Sequence, residues 1–187
     1  MGGDTGTGHG FTPELRLIDL ANAVRATPDL PRAALAALLA AHGERPDDLT
    51  ERSFSELDAQ ELRAAVREIA DVLTESDTDR AAEALNALLA ARAAPPRLSR
   101  HDGHPWHLHT DRGDDAGWGS WFLASSALAL ARILTEYGRA TWGACAAPGC
   151  ATLFLGTGPG SPRRYCSTTC ATRARVAAHR RRGRETT

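Results

Sequence analysis

The sequence predicts a mainly α protein in two parts: a helical N-terminal domain carrying a small β-hairpin, and a small treble-clef-like C-terminal module of knuckle, β-hairpin and α-helix built on four cysteines. Three observations predict it. Apolar residues make up 42% of the 187-residue chain but aromatics only 5%, and the apolar residues are mostly Ala and Leu. Such a composition favours helix packing over a sheet sandwich rich in Val, Ile and Tyr. Segments of helical period are separated by proline and glycine. The four cysteines fall in two close pairs, Cys145-Ala-Ala-Pro-Gly-Cys150 and Cys166-Ser-Thr-Thr-Cys170, separated by a hairpin's length of chain.

In chain order, residues 1–10 are glycine-rich and expected to be disordered, and residues 11–138 form the helical domain. Thr12-Pro13 supplies a cap and a first-turn proline for a helix whose Leu17, Ala21 and Val24 share a face and which ends before Pro28. A second helix carries Leu35, Leu38 and Leu39 and is closed by Gly43. Residues 44–57 are charged and turn-forming around Pro46-Asp47-Asp48. Asp58 and Glu61 read as a capping pair opening a third helix, with Leu62, Ala65, Val66, Ile69 and Leu73 on one side. A fourth helix over about residues 79–93 buries Leu85, Leu88 and Leu89 and is stopped by Pro95-Pro96. Residues 97–118 bring His101, His104, Trp106, His107 and His109 together with aspartates and glycines, the pattern of a hairpin and loop. The next helix, about residues 120–137, is apolar on most sides and therefore central, and Gly138 ends it.

Residues 139–187 form the second part, joined so closely that the two should pack together. In a reducing compartment two thiol pairs hold metal more often than each other, so the spacing predicts one structural Zn²⁺ on Cys145, Cys150, Cys166 and Cys170. Pro148-Gly149 gives a knuckle turn, residues 152–155 a strand, residues 156–162 a turn, and Arg163-Arg164-Tyr165 the return strand. The spacing of four places Cys166 and Cys170 together on the first turn of a helix, whose positive end favours thiolate. A zinc ribbon is the alternative, disfavoured by the helix-forming run after Cys170.

Charge is distributed unevenly behind a net value of −1. Residues 1–138 carry 13 Arg against 22 acids, whereas residues 139–187 carry 9 Arg against Glu185 alone. No lysine occurs, so every basic side chain other than histidine is a guanidinium suited to phosphate or guanine. Arg173, Arg180 and Arg184 form one helical stripe and Arg175, His179 and Arg182 the next, leaving Val176 for the finger's core. Together with Arg181 and the hairpin arginines Arg163 and Arg164, these stripes predict contact with DNA, mostly through phosphates. A solvated cationic tail is the plain alternative.

The cysteine spacing, Leu153-Phe154, the paired Arg163-Arg164 before an aromatic and Cys166-Ser167, and Cys170 with Arg173 resemble the CGNR zinc finger. That family carries its finger behind an ABATE domain, regarded as a stress-induced transcription regulator. Leu17-Ile-Asp-Leu-Ala-Asn22 and Leu85-Asn-Ala-Leu-Leu89 resemble ABATE helices. The chain departs from the finger's signature at Ala171-Thr172, where the family has Gly-Asn, and its last cysteine pair is one residue closer than usual. The resemblance implies a zinc-containing, DNA-binding regulator whose N-terminal domain senses a small-molecule effector or forms a homodimer. A dimer would lengthen the short site that one finger reads. The competing reading is a protein-interaction module that uses the finger as a scaffold.

A cavity between the histidine hairpin and the apolar helix, with Trp106, His107 and Trp121, is the candidate effector site. The tryptophans otherwise fill a core. Asp19 and Asn22 stand on an apolar helix, as ligand contacts or as buried structural hydrogen-bonders. The histidines could hold a second metal, although solvent-facing histidines are the commoner outcome. No enzyme is expected: there is no glycine-rich phosphate loop, no His-Glu-x-x-His and no thiol left over as nucleophile. No leader pattern opens the chain, and the longest apolar run, residues 121–134, is interrupted by Ser125, Ser126 and Arg132. A cytoplasmic protein without membrane contact is therefore expected.

Overall fold

The structure, a computed structural model, describes residues 13–100, 106–110, 116–156 and 163–185. The disorder expected at residues 1–10, His101, His104 and the turn over residues 157–162 lie outside the described residues, as do the side chains of His107, His109 and Arg184. The second metal that those histidines could hold therefore also lies outside the described residues.

Among the described residues there are six helices, α1 (Pro13–Ala26), α2 (Arg32–Ala41), α3 (Glu56–Thr74), α4 (Thr78–Arg92), α5 (Trp118–Tyr137) and α6 (Thr168–Glu185). Four three-residue strands among the same residues form two antiparallel pairs, β1 (Arg97–Ser99) with β2 (His107–His109), and β3 (Trp142–Ala144) with β4 (Leu153–Leu155). A single 3-10 turn, Pro46–Leu49, joins α2 to α3.

α5 is central, packed by α3, α4 and α1, as its apolar sequence predicts. Phe122, Leu123, Ala127 and Leu130 of α5 meet Leu62, Val66, Ile69 and Leu73 of α3, with Leu17, Leu20 and Val24 of α1 alongside. α3 and α5 approach closely at Gly119, where a Cβ would lie 3.0 Å from the Glu61 carbonyl oxygen. Gly43 and Gly138, at φ 96° and 66°, follow the helices they were expected to close.

Helix starts differ from expectation by a turn or less, for a physical reason. α3 begins at Glu56 because Ser55 accepts from the Asp58 backbone N–H and the Asp58 carboxylate accepts from the Ser55 N–H at 2.8 Å. Asp58 is thus the third helical residue of a capping box, not the cap itself. Asp77 caps α4 in the same way by accepting from Arg80 N at 3.0 Å.

The finger does not sit apart. Trp142 of β3 and Leu153 of β4 belong to the same buried cluster as the helices, at 5% and 1% exposure. The indole N–H of Trp142 donates to the Val72 carbonyl at 3.0 Å, and Ala140 N donates to Thr78 Oγ1 at 3.3 Å. Among the described residues no helix is long and apolar enough to cross a membrane.

Candidate metal centre and its basic helix

The thiols converge from two directions. Cys145 directly follows β3, Cys150 precedes β4, and Gly149 at φ 68° makes the left-handed turn between them. The finger's hairpin is therefore β3 with β4, and the knuckle is its connection. Arg163-Arg164-Tyr165 does not form the expected return strand; its tie to the knuckle is one backbone bond, Ala146 N to Arg164 O at 2.9 Å. β4, the strand it was expected to pair with, has one edge taken by β3, and on the other Leu153 is bonded by Asn22.

On the other side, Cys166 lies two residues before α6 and Cys170 is its third residue, so only the latter occupies the first turn. Ser167 caps the helix by accepting from Cys170 N at 3.2 Å. Ala174 packs against the cysteines, whereas Val176, expected in that small core, is 45% exposed. Residue 174 lies four beyond Cys170 and so shares its face; residue 176 is six beyond and is turned away.

All four Sγ atoms lie within 4.8 Å of one another, with Cys150–Cys166 at 3.8 Å and Cys166–Cys170 at 3.6 Å. A tetrahedral zinc with bonds of about 2.3 Å requires sulfur–sulfur edges of about 3.8 Å, so the cage fits. All four cysteines are free of disulfide bonds. Donors surround them: Thr152 Oγ1 lies 3.3 Å from Cys150 Sγ, Cys166 N donates to Cys145 Sγ at 3.4 Å, and Arg173 Nη2 donates to Cys170 Sγ at 3.2 Å. Hydrogen bonds from the Thr152 hydroxyl and backbone draw Cys150 down to about 6, and burial among the other sulfurs pushes Cys166 up to about 12. A cation resolves that conflict by replacing the protons. The four thiols form one zinc site, and four protein ligands leave no open position for a water.

The arginines divide. Arg163 Nε donates to the Tyr165 carbonyl at 2.7 Å and its Nη2 to the Cys166 carbonyl, while its guanidinium stands 5.4 Å from the Phe154 ring. Arg164 lies 5.9 Å from the Tyr165 ring. Arg175, Arg180, Arg181 and Arg182 are exposed along α6.

The described residues of the expected effector site each have their own surroundings. Asn22 clamps β4, its Nδ2 donating to Leu153 O at 3.0 Å and its Oδ1 accepting from Leu153 N at 2.8 Å. Asp19 pairs with His42 at 2.9 Å. Trp106, rather than filling a core, is 65% exposed on the β1–β2 hairpin with Arg100 5.5 Å from its ring. The side chain of His107 is outside those described. Trp121 stacks with Arg16, whose guanidinium lies 4.0 Å from its ring centroid.

Three residues escaped the sequence reading. Ser167 and Thr152 had readable spacing, a hydroxyl three residues before a helical N–H and another two residues after a thiol. Arg16 had none, since an arginine on α1 reads as surface. It is fully buried, bonded to Glu44 Oε1 at 3.0 Å and Ser125 Oγ at 2.8 Å, and burial lowers its pKa to about 10, leaving it a cation at neutral pH.

Fold and site together define a class, a helical domain whose core extends into a four-thiolate zinc finger. Residues 16–137 match the ABATE family, described as "Putative stress-induced transcription regulator", and residues 142–183 match the CGNR zinc finger. The chain belongs to the ABATE family and carries a CGNR zinc finger behind that domain. No curated protein matches it.

Proposed function

We propose that this zinc-containing regulator binds DNA through α6, with the zinc serving to fix the helix to the rest of the protein. One observation carries the reading: an 18-residue helix leaves the metal centre with Arg175, Arg180, Arg181 and Arg182 exposed. At 1.5 Å per residue such a helix is about 27 Å long, enough to follow a groove past several phosphates. The acidic N-terminal part would repel the same polyanion and so aim the helix at it. The protein has no catalytic role in this reading, because every thiol is engaged by metal. The helical domain would then supply the second half of the regulator, pairing two copies or taking up an effector. Two copies give a second helix and hence a longer site.

The test is the salt dependence of affinity for duplex DNA of random sequence. The wild-type logarithmic plot should fall steeply, and R175A/R180A/R181A should flatten its slope by up to about 2.7, at about 0.9 for each phosphate that an arginine no longer neutralises. Affinity insensitive to salt, or unaltered in the triple variant, would refute the proposal.

A further inference from the structure

Arg173, which sequence places in the phosphate-binding stripe, has a different partner in the structure. It lies three residues after Cys170 on α6, the spacing that brings side chains onto one face, and its Nη2 donates to Cys170 Sγ at 3.2 Å. We infer that Arg173 is a positioning residue of the zinc centre, holding the Cys170 thiolate in place and offsetting the negative charge of the site.

Four thiolates around Zn²⁺ carry a net charge of about −2, which the sulfurs bear and which hydrogen-bond donors must offset. Cys145 receives a backbone N–H, and the Thr152 hydroxyl, 3.3 Å from Cys150, can donate once that sulfur is a thiolate; both are neutral groups. Cys170 is 8% exposed and receives a guanidinium. A charge-assisted bond is roughly twice as strong as a neutral one. Arg173 is itself exposed, so its guanidinium reaches from the surface to a buried sulfur on its own helix. Arg163 braces the same centre through backbone, donating to the Tyr165 and Cys166 carbonyls. Arg173 and Arg163 therefore brace the centre, whereas Arg175, Arg180 and Arg181 stand farther along the chain from its cysteines.

The experiment is competition for zinc between the whole chain and a chromophoric chelator, in wild type, R173A, R173K and R175A. Circular dichroism at saturating zinc establishes that each variant is folded. R173A should weaken zinc binding by about 10-fold or more, the scale found for residues that orient metal ligands; R173K, which keeps a charge and a donor, should recover part of it, and R175A should match wild type. With ¹¹³Cd in place of zinc, the metal resonance should move in R173A and stay in R175A. Equal zinc affinity and an unmoved resonance in R173A would overturn the inference. So would an equal loss in R175A, which would make the effect one of helix charge alone. Neither readout involves DNA, so the outcome is separate from that of the regulator reading.

Discussion

At the scale of single residues, Asn22 links the two parts of the chain directly. Its amide makes both ladder bonds that a neighbouring strand would have made to Leu153, and so closes an edge of β4 with a helix side chain. N22A leaves a donor and an acceptor unpaired at a half-buried position and should cost about 2 kcal/mol in urea unfolding. D19A, which removes a carboxylate 57% exposed beside His42, should cost under about 1 kcal/mol. Equal effects would show that the clamp is incidental. Sequence marks both as polar residues on an apolar helix, and only the partner in β4, 131 positions away, separates them. Arg16 is illegible for the same reason, since the groups that make its burial tolerable, Glu44, Ser125 and Trp121, come from distant parts of the chain.

At the scale of elements, periodicity and punctuation reveal the helices well because each is a local property. The exception is a pairing. Residues 139–143 read as the link to the knuckle, and the glycines after β4 look like a hairpin turn, so the sequence points β4 to the wrong partner. Three-residue strands carry too little alternation to reveal a register. The crossing of α3 and α5 tests the packing account. Alanine in place of glycine inside a helix ordinarily gains about 1 kcal/mol. At Gly119 the new Cβ meets backbone at 3.0 Å, so α3 must move, and overpacking of this kind costs about 1–3 kcal/mol. G119A should therefore lower the melting temperature; an increase would mean that the helices separate freely.

At the scale of the whole molecule, two families meet in one core. Burial of a tryptophan side chain of about 200 Å² is worth about 5 kcal/mol at 25 cal/mol per Å². Trp142 makes that contribution inside the helical domain, together with Leu153 and a hydrogen bond to Val72. Zinc fixes the knuckle between those two residues, so the metal acts on the stability of the whole chain rather than on a tethered finger. Sequence anticipates the metal ligands and the close joint; the shared core depends on how β3 and β4 fold back onto α1 and α3.

The most direct measurement is urea unfolding of the whole chain, with zinc and after chelation, followed both by helical circular dichroism and by tryptophan fluorescence. With zinc, the two signals should report one transition, and chelation should move the helical transition to lower urea. A helical transition that stays in place when the metal is removed would contradict the account.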